Sequence, residues 1–147
     1  MNPCIRVTIP AKAEYVDVVR LALFGVAHKA GFAYEEIEDM KVAVSEACTN
    51  AILHAYAGGR PGEVDIRFEL LEAGLSICVK DEGASFEYAH AGGGKPSSPR
   101  SGELSELAPG GLGLFMMHAL MDHVEVRTGS GTEVILTKRI ARKEEMT

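Results

Sequence analysis

A carboxylate and a carboxamide, Glu46 and Asn50, lie four residues apart in the segment SEACTNAILHAY, residues 45–56. In an α-helix, positions i and i+4 share a face, and His54 extends the same row by another turn. We expect this row to run beside the buried face of the helix and not within it. Such an edge can do chemistry only if a second element faces it. A solvated helix flank is the alternative.

The segment DEGASF, residues 81–86, is the first candidate for that second element. Asp81 stands where an apolar strand gives way to a turn, and Gly83 allows the backbone to approach a flat ligand closely. A carboxylate only accepts hydrogen bonds, so it suits the exocyclic amino group of adenine and rejects the O6 atom of guanine. An ordinary turn at the end of a strand has the same D-x-G pattern.

The segment GGLGLFMM, residues 110–117, is the second candidate. Free N–H groups at a helix N-terminus form an anion site, and Gly111 and Gly113 leave it unobstructed by side chains. The segment is not a Walker A motif, because no GK[ST] follows. It also does not follow a strand in a βαβ unit, as a dinucleotide-binding fingerprint would.

Hydrophobic periodicity predicts the elements that must position these segments. The predicted strands are residues 4–9, 63–71, 75–81, 123–128 and 132–139. The predicted helices are residues 14–30, 34–56 and 112–121. Hairpins join the second strand to the third and the fourth to the fifth. The pattern predicts an α+β fold, a two-layer sandwich of a mostly antiparallel sheet with helices on one face.

The first helix is apolar on two sides. One predicted stripe comprises Tyr15, Val18, Val19, Ala22 and Val26, and a second comprises Val16, Leu23, Ala27 and Ala30. A helix with two apolar sides has two surfaces to cover, so we expect one side to pack on the sheet and the other to meet a second subunit.

Composition limits the possible classes of function. The chain has 147 residues and a formal net charge of −6, without the basic patch that a nucleic-acid-binding protein would show. The three cysteines include no CxxC pair, which favours a reducing cytoplasmic compartment. The N-terminus lacks the hydrophobic region of a signal peptide, and no apolar run is long enough to span a bilayer.

In this order, the three motifs resemble the ATP site of the GHKL superfamily of histidine kinase-like ATPases. The similarity is closer still to the RsbW family of anti-sigma factors and serine-protein kinases. Five segments carry it: PAKAEYVDVVRLAL, YEEIEDMKVAVSEACTNAILHAY, GEVDIRF, DEGASF and GGLGLFMM. The resemblance covers nearly the whole chain and weakens over residues 87–109 and in the C-terminal tail.

The resemblance implies a role for each matching position. Asn50 matches the asparagine that holds Mg²⁺ on the phosphates of ATP, and Glu46 matches the carboxylate taken as general base. The adenine end is matched by Asp81, Gly83 and Thr132, and the phosphate-binding glycines by Gly111 and Gly113. Arg20 matches a surface residue that contacts protein partners in related anti-sigma factors.

Residues 85–110 are expected to form a flexible lid over ATP, and residues 140–147 a frayed tail, within one domain spanning residues 1–147. Ser85 replaces the second glycine of the frequent D-x-G-x-G motif, which leaves the tightness of nucleotide binding open. Lys95 and Arg100 could reach phosphates from the lid, and solvated side chains are the alternative.

The resemblance implies a homodimeric, cytoplasmic anti-sigma factor that sequesters an RNA polymerase sigma factor of the sigma-B type. With Mg-ATP, the protein would phosphorylate a serine of an anti-anti-sigma partner. One rival function is a binding module that keeps ATP as a structural ligand and transfers no phosphate. Another is the catalytic half of a histidine kinase, which is disfavoured because residues 1–13 leave no room for an upstream helix carrying a phospho-acceptor histidine.

Overall fold

The computed structural model describes residues 2–56, 61–83 and 111–140. Its strands are β1 (Cys4–Pro10), β2 (Glu63–Leu71), β3 (Gly74–Asp81), β4 (His123–Gly129) and β5 (Gly131–Arg139). Its α-helices are α1 (Val16–Ala30), α2 (Tyr34–Asn50) and α3 (Gly111–Leu120). A short 3₁₀ turn (Ala13–Tyr15) precedes α1, and a π-helical segment (Ala51–Ala55) follows α2. The whole predicted lid, residues 85–110, and the predicted tail beyond residue 140 lie outside the described residues.

The five strands form one sheet in the order β1-β2-β3-β5-β4, and all neighbours are antiparallel. This confirms the predicted α+β fold and both predicted hairpins. The pairing of β3 with β5 joins residues that lie 51 to 65 positions apart in the chain. It sets Asp81 directly opposite Thr132.

One face of the sheet carries the core. Along β2, Val64, Ile66 and Phe68 are completely buried, while the residues between them point to the other face. That other face is polar: Arg67 forms an ion pair with Glu133 at 3.1 Å, and Arg6 forms one with Asp65 at 2.8 Å. The period-two alternation therefore explains why the helices cover only one side.

Helix α1 buries one side and exposes another apolar side. The buried residues are Val16, Val19, Leu23, Val26 and Ala27. Val18, Leu21 and Phe24 are 44%, 72% and 41% exposed. The predicted grouping into stripes was wrong in detail, because Val19 and Val26 pack in the core and not with Val18. The expectation that one side packs on the rest of the domain agrees with the structure, and the expectation that the other side meets a second subunit stays a prediction.

The second predicted helix changes from α-helical to π-helical winding after Asn50. It is α-helical to Asn50 and π-helical from Ala51 to Ala55, within the single α-helix predicted over residues 34–56. A π-helix closes i→i+5 hydrogen bonds, and such segments occur frequently at functional sites. No helix among the described residues has the length and apolar character needed to cross a membrane.

Candidate active site

Three polar residues are buried in the described part of the chain. Asn50 is 4% exposed, Asp81 is 3% exposed and Thr132 is 3% exposed. Burying a polar group costs free energy unless it finds a hydrogen-bond partner. The amide nitrogen of Asn50 and the hydroxyl of Thr132 have none among the described residues. A ligand with polar groups would satisfy them, and all three positions are among those implied by the resemblance.

Asp81 and Thr132 form one end of the site. Asp81 is the last residue of β3, and its side chain lies on the same face of the sheet as that of Thr132, its cross-strand partner. The Oδ1 atom of Asp81 accepts a hydrogen bond from the Gly83 N–H at 3.1 Å. Burial raises the pKa of the Asp81 carboxyl above its ordinary value, and hydrogen bonds from the Gly83 and Thr132 backbones partly offset this effect.

Gly83 brings this turn directly onto the π-helical segment. A Cβ atom at position 83 would overlap the carbonyl oxygen of Ala55 and would lie 2.7 Å from its Cβ atom. Only glycine can make that approach. The prediction that Gly83 lets the backbone approach a flat ligand stays a prediction. The contact is with the protein's own helix, and it fixes the distance between Asp81 and the end of α2.

Glu46, Asn50 and Gly113 form the other end. A Cβ atom at Gly113 would lie 2.7 Å from Oε1 of Glu46 and 3.3 Å from Nδ2 of Asn50. Helix α3 is therefore the second element that the polar row requires. Gly111 is its first residue.

The expectation that the polar row lies beside the buried face of the helix was wrong for Asn50, which is buried, while Glu46 is half-buried. Helix α3 packs over this edge of α2, a contact that helical periodicity within α2 cannot reveal. His54 also departs from the expected row, because it lies in the π-helical segment, whose residues do not stack at four-residue intervals. Burial lowers the pKa of His54.

The donor set fits Mg²⁺ held mainly by a substrate. The described residues contain no cluster of three His, Cys, Asp or Glu side chains that could bind a metal alone. Mg²⁺ in phosphate-transfer sites commonly takes one or two protein oxygens and completes its shell with phosphate and water. The buried amide of Asn50 beside the Glu46 carboxylate offers such a partial set.

The side chain of Arg20 is held in place by a hydrogen bond to helix α2. Its Nη1 atom donates a hydrogen bond to the Ser45 hydroxyl at 3.0 Å, and Ser45 donates to the Lys41 carbonyl oxygen at 2.7 Å. The guanidinium is thus held against α2, one residue before Glu46. Ser85, Lys95 and Arg100 lie outside the described residues.

Sequence reasoning missed Tyr56. Its hydroxyl accepts a hydrogen bond from the Glu82 N–H at 2.8 Å and donates one to the Glu63 carbonyl oxygen at 2.9 Å. Both partners are backbone groups distant in sequence, so no local pattern marks the residue. The only signal in the sequence was a tyrosine at the C-terminal end of the predicted second helix.

Comparison with known proteins identifies the family. The model of the histidine kinase-like ATPase domain matches residues 9–138. The serine-protein kinase RsbW of Bacillus pumilus is 49% identical over 141 residues, covering 95% of this chain and 87% of that protein. The RsbW of Bacillus subtilis is 47% identical over 134 residues, covering 91% and 84%. The chain belongs to the RsbW family of histidine kinase-like ATPases.

A crystal structure with an RsbW domain has the same fold. It contains the RsbU and RsbW domains of a Mycobacterium tuberculosis protein and matches with a TM-score of 0.68 at 22% identity. The match covers 99% of the present chain and 34% of that larger one. At this low identity the match shows that the two chains share a fold.

Replacing Gly113 by alanine should weaken nucleotide binding without unfolding the protein. The added methyl group displaces the end of the Glu46 side chain, which is flexible, so we expect the fold to survive. We expect weaker binding of Mg·ADP by calorimetry and slower phosphate transfer. Gly25→Ala is the matched control, because position 25 is also helical and a Cβ there meets nothing within 4 Å. That control should raise stability by about 0.5–1 kcal/mol and leave binding unchanged. Equal nucleotide binding by both variants would contradict the proximity of Gly113 to the ligand.

Asp81 should reduce the stability of the nucleotide-free protein at neutral pH. Its folded pKa is raised, so the folded protein binds more protons between about 3.9, the unfolded value, and that raised pKa. Stability therefore falls as pH rises through this window. Asp81→Asn should melt at a higher temperature than the wild type at pH 7, with the difference shrinking as the pH falls towards about 3.9, and should bind nucleotide with a higher but still measurable Kd.

Asp65→Asn is a control that should change the melting temperature in the opposite direction in the same calorimetric scans. A hydrogen bond from Arg6 lowers the pKa of Asp65, so its contribution is present above the unfolded pKa and is lost as pH falls through the folded one. Asp65→Asn should melt at a lower temperature than the wild type at pH 7. Destabilisation by both substitutions at pH 7 would show that Asp81 carries no desolvation cost.

Proposed function

We propose that Mg-ATP lies between the α2–α3 contact and the end of β3, with its triphosphate near Glu46, Asn50 and Gly113 and its adenine near Asp81. As a member of the RsbW family, the protein is an ATP-dependent serine-protein kinase. It is also an anti-sigma factor, and its phosphorylation substrate is an anti-anti-sigma partner. What we propose is which residues perform these tasks and that Mg²⁺ accompanies the ATP.

One observation carries the site assignment: the buried polar residues Asn50, Asp81 and Thr132. The family fold alone would be compatible with a site that had lost its nucleotide. Two of these side chains, however, have buried atoms without partners among the described residues, and such atoms are costly to keep. A bound nucleotide would hydrogen-bond to them and offset that cost.

Each residue then has a definable task. Asp81 accepts a hydrogen bond from the adenine amino group, supported by Thr132, and the turn at Gly83 holds the carboxylate in place. The N–H groups at the start of α3, near Gly111 and Gly113, favour the negatively charged phosphates. Glu46 accepts the proton of the incoming serine hydroxyl. When bound, Mg²⁺ neutralises charge on the phosphates, and Asn50 is the residue that would hold it.

The partner surfaces include α1. We assign its exposed side, formed by Val18, Leu21 and Phe24, to a homodimer contact, because isolated apolar helix faces favour association. We assign Arg20 to binding of a sigma-B-type sigma factor and of the anti-anti-sigma partner. A cytoplasmic location belongs to the same proposal, since a sigma factor acts there, and the three free thiols agree with it. Cell fractionation would test that location.

The catalytic role of Glu46 is tested by transfer of phosphate from labelled ATP to the anti-anti-sigma partner. Glu46→Gln keeps the shape of the side chain and removes its basicity, so we expect transfer to slow by about 10²- to 10⁴-fold while Mg·ADP binding is retained. Glu38→Gln on the same helix is the control, because Glu38 pairs with Lys41 on the surface. Transfer by Glu46→Gln at the rate of the control would remove Glu46 from this role.

The same experiment distinguishes the rival functions. A nucleotide-dependent binding module would sequester sigma but would label no partner. A histidine kinase would label itself, with a phosphate that is labile to acid and stable to base. Phosphoserine on the partner, stable to acid, is the outcome expected of an RsbW kinase.

Different substitutions in α1 should abolish the homodimer contact and the binding of sigma independently. Leu21→Asp places a charge on the apolar side, and we expect it to sediment as a monomer at concentrations where the wild type is a dimer. Arg20→Ala should remain dimeric and should bind sigma more weakly in the same centrifugation experiment. Val42→Asp, on the exposed side of α2, is the control for adding a surface charge. A Leu21→Asp variant with the wild-type mass would place the dimer contact elsewhere.

A further inference from the structure

The Tyr56 hydroxyl lies between two strands at the place where they separate. Tyr56 is 7% exposed, and its hydroxyl links the Glu82 N–H of the turn after β3 to the Glu63 carbonyl oxygen at the start of β2. Its partners are both backbone groups, so their positions are set by strand geometry. The residue thus connects the end of the α2–π helix to two strands at once.

The register of the sheet shows what this hydroxyl replaces. Val64 pairs with Asp81 in the antiparallel β2–β3 ladder, so the next position outward sets Glu63 opposite Glu82. In a continued ladder these two residues would pair directly across the strands. The hydroxyl instead stands between their backbone groups, and β3 ends at Asp81. The chain then turns so that the Gly83 N–H reaches the Asp81 carboxylate.

We propose that Tyr56 is a positioning residue for base recognition: its hydroxyl ends the β2–β3 ladder at Asp81 and thereby orients the Asp81 carboxylate towards the base. This inference rests on the proposed function, because it assumes that Asp81 binds the base. Tyr56 acts through Asp81 and makes no contact with the phosphates, so it determines nucleotide affinity and base selectivity and has little influence on the transfer step.

Two close contacts hold the hydroxyl in place. A Cβ atom at Gly62 would lie 2.6 Å from two ring atoms of Tyr56, so the backbone of residue 62 packs closely against the ring. On the other side of the turn, Gly83 packs against Ala55, the neighbour of Tyr56 in sequence. The ring and the turn are therefore locked to the same short stretch of helix. A small displacement of the hydroxyl would move Glu82 and with it Asp81.

Tyr56→Phe removes the hydroxyl and keeps the ring packed on Gly62. We expect the KM for ATP and the Kd for Mg·ADP to rise about tenfold, the size expected when a buried donor loses its partner. We expect kcat to stay within about twofold, since the groups at the phosphates are unchanged. Selectivity for ATP over ITP, which carries an oxygen in place of the adenine amino group, should fall by a similar factor. The KM and Kd measurements are both made well below the melting temperature of the variant, where it is fully folded, because partial reversible unfolding would by itself raise the apparent Kd.

Tyr34→Phe is the matched control, because Tyr34 is 68% exposed at the start of α2. It should leave KM, kcat and the ATP/ITP ratio as in the wild type. Gly62→Ala is the second variant: it keeps the hydroxyl but pushes the ring, and it should reduce the ATP/ITP ratio in the same direction. If Tyr56→Phe and Gly62→Ala both keep the wild-type KM and ATP/ITP ratio, the inference is overturned.

A double-mutant cycle with Asp81→Asn separates this inference from the proposed function. If Tyr56 acts through Asp81, Tyr56→Phe should add little to the rise in Kd already caused by Asp81→Asn. Fully additive effects would show that Tyr56 acts independently of Asp81 and would overturn the inference. An Asp81→Asn variant with the wild-type Kd would instead overturn the assignment of the adenine end in the proposed function.

Discussion

The main physical constraint on the site is the burial of polar groups between a sheet and its covering helices. Asn50, Asp81 and Thr132 have lost nearly all contact with water, yet the first and last of them keep buried atoms without partners in the described chain. A domain selected for stability alone would replace such groups with apolar residues, because unsatisfied polar atoms are costly. Under the proposed function, a bound nucleotide supplies the missing partners. Binding of such a ligand then stabilises the fold by mass action.

Close backbone packing holds the two ends of the site at a fixed separation. Gly113 allows α3 to lie against Glu46 and Asn50, and Gly83 allows the turn after β3 to lie against Ala55. The π-helical segment connects these contacts. A larger side chain at either glycine would separate elements that must approach within van der Waals distance. The site is therefore a property of helix-to-turn and helix-to-helix contact, and no single element contains it.

The two faces of the sheet have different tasks. The helix-covered face carries the apolar core and, at one edge, Asp81 and Thr132. The opposite face carries ion pairs, among them Arg67–Glu133 and Arg6–Asp65. Partly exposed pairs of this kind add little stability but keep the face soluble. Strand alternation thus puts Thr132 in the site and the adjacent Glu133 on the opposite, polar face.

Local patterns in the sequence determined the strands, the helices and the types of residue at the site. Strand β2 follows its predicted bounds, residues 63–71, because alternation and turn residues act over neighbouring positions. Only tertiary structure decided that Asn50 is buried, that β3 pairs with β5, and that Tyr56 ends the β2–β3 ladder. Each of these outcomes requires two segments distant in the chain to meet. Periodicity within one segment carries no information about the segment that will cover it.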